Sequence, residues 1–243
     1  RAKYDAIVFV DGALGQRPSP SPEGIPQEFH ARLGSITRQT TGPKLKEFAE
    51  QGGTIIAIGE STALAGWLGL PLENHLVEMG DDGTERPLPR EKYYVPGSVL
   101  RATVDTTHPL AHGLDAEVDV FFDNSPVFSL TPSAPRDGVR AVAWFAGPEP
   151  LRSGWAWGQN YLQNGIAVAD VPVGRGHVYL FGPEIAFRAQ PQRRRARGAA
   201  RLPREAQAEL AGKVSLTATG ALKAQPLMHS NDDYHRLFSV IAL

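Results

Sequence analysis

The chain has 243 residues, no cysteine, and 25 basic against 26 acidic side chains, a formal net charge of −1. That balance gives no general attraction for nucleic acid or an anionic membrane, and the missing cysteines exclude disulfides, thiolate zinc sites and a cysteine nucleophile. A hydrophobic content of 42% with 21% charged residues is ordinary for a globular protein, and no apolar run reaches the roughly 18 residues that would span a bilayer. The chain starts at Arg1 without a basic-then-apolar signal, and a strand pattern begins at Tyr4, so it reads as a piece of a longer polypeptide.

Tyr4–Val10 is a continuous apolar run with a polar entry, ending at Asp11-Gly12. Such runs suit strands buried on both faces of a parallel sheet. Arg17–Pro22, with three prolines, reads as a loop. Thr41–Gln51 carries Leu45, Phe48 and Ala49 at helical spacing, and Gly52-Gly53 ends it. Thr54–Ile58 is a second buried strand, broken at Gly59, and Ser61–Leu68 reads as a helix. This strand–helix–strand–turn–helix order predicts an α/β fold with a largely parallel central sheet flanked by helices. The middle adds strands at Val99–Val104, Val118–Phe122, Val139–Phe145, Ile166–Val171 and His177–Phe181.

Charge divides the chain. Gln192–Leu243 holds 9 basic and 4 acidic residues, with arginines at 193, 194, 195, 197, 201 and 204. No aromatic residue is interleaved with them, so the stacking used by single-strand binders is missing, and the stretch reads as a solvated surface loop. Beyond it, a short helix is expected at Arg204–Leu210, a strand at Lys213–Thr219 and an amphipathic closing helix at Asp233–Leu243.

In open parallel sheets, sites gather at the carboxyl ends of strands. That singles out Asp11-Gly12, Gly59-Glu60-Ser61, Asp123-Asn124-Ser125 and Gly182-Pro183-Glu184. Gly59-Glu-Ser-Thr-Ala63 follows an apolar strand and precedes a helix, as a nucleophile elbow does, with Ala63 in place of the last glycine. The alternative role for Ser61 is to cap the following helix. His75, His108 and His112 are the histidines available as bases. His75-Leu-Val-Glu78 has the spacing of a zinc-ligand pair, with His177 about 100 residues on, but a loop-like context argues against a metal there. His108 and His112 read as turn residues. Trp155 and Trp157 either line a carbohydrate or peptide surface or pack over a sheet edge.

The order of these motifs resembles the class I glutamine amidotransferase-like superfamily, whose fold is flavodoxin-like. Tyr4–Gly12 looks like its opening strand and loop, Gly59-Glu60-Ser61 lies where its Gly-x-Cys elbow lies, and Phe181-Gly-Pro-Glu184 looks like its Phe-His-Pro-Glu strand. More closely, the chain resembles the C-terminal domain of bacterial zinc-carboxypeptidase-like proteins. The segments that carry this are Gly52–Ala65, Pro89–Gly97, Val120–Phe128, Leu151–Gly158 and Tyr179–Pro191. The resemblance covers 1–191 and the closing helix at 233–243, and leaves 192–232 as a basic insertion.

Where the family has cysteine and histidine, this chain has Ser61 and Gly182; Glu184 alone is kept. A glycine cannot take a proton from a serine hydroxyl, so glutamine hydrolysis by that triad is not expected. The resemblance implies a non-catalytic accessory or binding domain of a larger peptidase-like protein. It would partner an upstream peptidase domain and bind a peptide or small molecule through Asp11, Gly12, Glu60, Ser61, Asn124 and Glu184. No cofactor, metal or nucleic-acid partner is implied, and an exported parent would make the domain periplasmic or extracellular. Two rivals remain: a serine hydrolase using Ser61 with a recruited histidine, and a small-ligand sensor.

Overall fold

In the strand Thr54–Ile58 every residue is buried, because both of its faces are covered. Ile55 and Ala57 point into one apolar cluster, whereas Ile56 and Ile58 point into another. This is the two-sided burial that a continuous apolar run predicts. A computed structural model describes residues 4–14, 21–185, 214–216 and 221–224, with backbone alone at 31–32, 214–216 and 221–224.

The strands are β1 (Ala6–Phe9), β2 (Thr54–Ile58), β3 (Leu72–Asn74), β4 (Val77–Met79), β5 (Glu85–Pro87), β6 (Ser98–Val104) and β7 (Glu117–Phe122). They continue with β8 (Phe128–Leu130), β9 (Arg140–Trp144), β10 (Leu151–Ser153), β11 (Ile166–Val173), β12 (Gly176–Phe181), β13 (Val214–Leu216) and β14 (Ala221–Ala224). Two α-helices, α1 (Gly42–Glu50) and α2 (Leu64–Leu68), lie among the described residues. The main sheet runs β10-β6-β9-β11-β12-β2-β1-β14-β13, with β7 on β6 and β3 joined through β8 to β11.

The α/β class holds, but the sheet is mixed and mostly antiparallel, which corrects the expectation of a largely parallel one. Among the described residues, only β1–β2 and β2–β12 pair in parallel. The other pairings are antiparallel, including the long β11–β12 ladder from Val168↔Phe181 to Val173↔Gly176. The physical reason is connection length. Parallel neighbours need a crossover of a dozen or more residues, which the chain provides between β1 and β2. By contrast, β11 and β12 are separated only by Gly174-Arg175, a two-residue hairpin loop. The β6 strand shows the alternating burial of an antiparallel strand, buried at every second residue.

Helices α1 and α2 cover one face of the parallel core, packing Leu45, Ala49, Leu64 and Leu68 over Ile55, Val178 and Leu180. On the other face, Ile56, Ile58 and Phe181 pack with Leu100, Phe122, Val142 and Phe145. Phe122 and Phe145 meet edge to face, 5.8 Å apart. The expected helix at Ser61–Leu68 begins as a 3₁₀ turn, Gly59–Ala63, before α2.

Within the basic region, β13 and β14 form a hairpin whose β14 strand pairs with β1 through Val8↔Leu222 and Phe9↔Ala221. The strand expected at Lys213–Thr219 contains β13. The short helix at Arg204–Leu210, the arginine run and the closing helix at Asp233–Leu243 lie outside the described residues. Among the described residues, no helix is long and apolar enough to cross a membrane.

Candidate functional site

The elbow after β2 is tied to the loop after β1 by hydrogen bonds between the Asp11 and Ser61 side chains and the main chain. Gly59 adopts φ +58°, and a side chain there would collide with the Asp11 carboxylate. Asp11 Oδ1 accepts the Glu60 N–H at 2.6 Å, so the carboxylate closes the turn. Ser61 follows at 0% exposure. Its hydroxyl donates to the Val10 carbonyl at 2.6 Å and accepts the N–H groups of Ala13 (3.0 Å) and Leu14 (3.4 Å). A buried polar group is held by its partners, and this hydroxyl has three. Ser61 therefore does not cap its own helix, which corrects that expectation, and its hydroxyl does not line the cleft described below.

Gly182, which lies where the Phe-His-Pro-Glu pattern has its histidine, is also closed off. Gly182 is buried, its N–H bonds to the Ala167 carbonyl at 2.8 Å, and a side chain at 182 would run into the Pro126 carbonyl. Glu184 is half-buried beyond β12 and does not line the cleft described next.

That cleft, of about 780 Å³, opens beside the elbow at the carboxyl ends of β2 and β7. Glu60 and Asn124 stand on its wall with Glu73, Arg90, Tyr93 and Tyr94. Apolar side chains such as Leu72, Leu76, Val127 and Phe128 form its floor. Asn124, at φ 45°, clamps the neighbouring segment: its N–H donates to the Val95 carbonyl at 2.8 Å and its Oδ1 accepts the Val95 N–H at 3.1 Å. Tyr93 is only 8% exposed, and its hydroxyl has no hydrogen-bond partner among the described residues. Burial pushes the phenol well above its ordinary range. Of the residues singled out from the sequence, the structure brings Glu60, Asn124 and Ser125 into this cleft. Asp11 and Ser61 act beneath it, and Gly12 lies in the β1 loop.

The histidines have other partners. His75 Nε2 donates to the Gln163 carbonyl at 3.1 Å and Nδ1 accepts from the Ser129 hydroxyl at 2.8 Å, so both ring nitrogens are engaged. Glu78 holds Lys92 at 2.5 Å and Arg86 at 3.2 Å, and the hydrogen bond from Lys92 lowers its carboxyl below the usual value. Among the described residues, no three His, Asp or Glu side chains converge as a metal-ligating group. His112 is exposed in its turn.

His108 and His177 meet on one carboxylate, which the sequence reading did not single out. Asp170, 6% exposed on β11, accepts from His108 Nε2 at 3.0 Å and from His177 Nδ1 at 2.7 Å. His108 Nδ1 accepts the Leu110 N–H at 3.2 Å, which fixes its proton on Nε2. Burial pushes the Asp170 carboxyl up, but the two histidine hydrogen bonds outweigh it and hold the group below its ordinary value. The Asp170 bond raises His177, against its partial burial. His177 stacks on Tyr179 with centroids 5.6 Å apart. This cluster lies at the amino end of β12, the opposite end from the cleft. The available signal was Asp170 itself, a charge inside the apolar strand Ile166–Val173, because a buried charge needs partners.

No protein-family model matches the chain, and no curated protein matches it. Among solved structures, it is similar to a β-galactosidase from Bacillus circulans at 11% identity and TM-score 0.37, covering 60% of this chain and 18% of that one. A ThuA-like protein from Parabacteroides merdae matches at 12% identity and TM-score 0.37, over 61% of this chain and 56% of that one. A cytoplasmic protein from Salmonella typhimurium matches at 16% identity and TM-score 0.37, over 75% of this chain and 61% of its own.

Proposed function

We propose that the chain is a non-catalytic ligand-binding domain of amidotransferase-like descent, which takes its ligand in the strand-end cleft beside Glu60 and Asn124. One observation carries this reading: the Ser61 hydroxyl is consumed by Val10, Ala13 and Leu14 while the cleft above it stays open. The position of the missing histidine is walled by the Pro126 carbonyl, so the triad is lost in packing as well as in sequence. A serine is a weak nucleophile without an adjacent base, and this one already gives its proton to a carbonyl. The segments Gly52–Ala65, Pro89–Gly97 and Leu151–Gly158 support the further reading that it serves a zinc-carboxypeptidase-like protein as an accessory domain.

A fluorophosphonate serine probe tests the non-catalytic half. With the protein folded, peptide mapping should find no adduct on Ser61. An adduct there that vanishes in Ser61→Ala would establish the serine hydrolase rival instead.

A further inference from the structure

We propose that the strand-end cleft takes a zwitterion with an apolar body, an amino acid or short peptide with free ends, whose carboxylate meets Arg90 and whose ammonium group is held by Glu60 and Glu73. The inference rests on the reading of the cleft as a binding site and names the class of its ligand.

The polar side chains of the lining divide into those already spent and those still free. Asn74 Oδ1 accepts the Leu76 N–H at 3.1 Å. Asn124 Oδ1 accepts the Val95 N–H, and its Nδ2 donates to Asp123 at 3.2 Å. Ser125 Oγ accepts the Asp123 N–H at 3.1 Å, and Thr62 Oγ1 donates to the Gly59 carbonyl at 2.7 Å. The Tyr93 hydroxyl is shut off from solvent. These neutral groups hold the walls of the cleft together. The charged groups differ. Glu60, Glu73 and Arg90 are exposed, and among the described residues none of them is joined to a side chain of opposite charge. One cavity therefore offers unspent groups of both signs.

All three are carried on fixed backbone. The Glu60 N–H is bound by Asp11, and Glu73 sits in β3 opposite Ser129 of β8. The Arg90 guanidinium lies 3.9 Å over the Tyr94 ring, and Tyr94 exchanges main-chain hydrogen bonds with Trp157 at 3.0 and 2.9 Å. Such fixation lowers the ordering cost of binding.

The charges choose the ligand class. A planar guanidinium matches a planar carboxylate. Arg86 and Lys92 share Glu78 and stand outside the lining, so Arg90 is its one basic side chain among the described residues. A polyphosphate or a nucleic acid would meet two carboxylates in the same cavity. The floor of Leu72, Leu76, Val127 and Phe128 calls for an apolar body between the charged ends. The volume of about 780 Å³ falls within the roughly 300–1,000 Å³ usual for small-ligand sites.

The test uses pooled tripeptides of alanine, leucine and phenylalanine in three forms: free ends, C-terminal amide and N-terminal acetyl. Saturation-transfer nuclear magnetic resonance on the folded protein should find binders in the free-ended pool, and calorimetry then measures the strongest of them. Amidation should weaken that peptide about tenfold on the wild type and change little on Arg90→Gln. Acetylation should weaken it similarly on the wild type and change little on the double variant Glu60→Gln with Glu73→Gln. The inference is overturned if the free-ended pool gives no signal at millimolar concentration, or if either blocking group costs as much on its variant as on the wild type. Blocked peptides that bind the wild type as well as free ones would remove the ligand class and leave the cleft as a site. Hydrolysis of a peptide would instead overturn the non-catalytic reading, so the two fall separately.

Discussion

Ser61 Oγ donates to the Val10 carbonyl across 51 residues of sequence, at 2.6 Å. That bond ties the elbow after β2 to the end of β1, two parallel neighbours in the sheet. The Ser61 hydroxyl thus acts as a fastener between two loops.

Replacing it should therefore cost stability rather than activity. Ser61→Ala takes the acceptor from the buried Leu14 N–H and removes one of the bonds at the Val10 carbonyl and at the Ala13 N–H, which still meet each other at 3.1 Å. The cost of an unsatisfied buried group is about 1–3 kcal/mol, which thermal or denaturant unfolding will read.

Building a Cys-His-Glu triad at 61, 182 and 184 should fail. In Gly182→His the new Cβ has to displace the Pro126 carbonyl, and overpacking of this kind costs about 1–3 kcal/mol. The double variant Ser61→Cys with Gly182→His is expected to be destabilised and to release no ammonia from glutamine. An ammonia assay and a melting curve check both parts.

The His108–Asp170–His177 cluster should act as a structural lock. Asp170→Ala leaves the buried His108 N–H and the half-buried His177 without their acceptor, an expected loss of about 1–3 kcal/mol. The pH dependence has a definite sign. His177 is raised above 6.5 in the folded state, so its contribution is complete below that value and is lost as pH rises through the raised one. Asp170 is lowered below 3.8, so its contribution is present above that value and is lost as pH falls through the depressed one. Unfolding of the wild type against His177→Gln should show their difference shrinking as the solution becomes alkaline. A difference that grows with pH would refute the assignment.

Tyr93 gives the opposite expectation to Ser61. Its hydroxyl is buried without a partner among the described residues, so Tyr93→Phe removes a desolvated group and nothing that holds it. Unliganded stability should rise by about 1 kcal/mol, measured by urea unfolding.

Much of the fold was legible because local signals agreed. Thr54–Ile58 is apolar at nearly every position, and Gly52-Gly53 stops the preceding helix, so β2 and α1 stand where the pattern puts them. Strand direction was not legible. Ile166–Val173 is buried on both faces whether its neighbours run parallel or antiparallel, and only the two-residue loop to β12 decides. The three-residue strands β3, β4, β5, β8 and β10 are too short to show a period. Glu60 and Asn124, singled out as strand-end residues, both line the cleft. The Asp170 cluster was hidden because its members lie 62 and 7 residues apart in the chain. The role of Ser61 depends on the main chain at Val10, Ala13 and Leu14, which no side-chain pattern records.

The most direct test of the central claim is nuclear magnetic resonance of the isotope-labelled protein, titrated with short peptides. Binding without turnover predicts that amide signals of Glu60, Tyr94 and Asn124 move in a saturable way and that the added compound is recovered chemically unchanged. Conversion of the compound, or shifts confined to residues away from the cleft, would contradict the account.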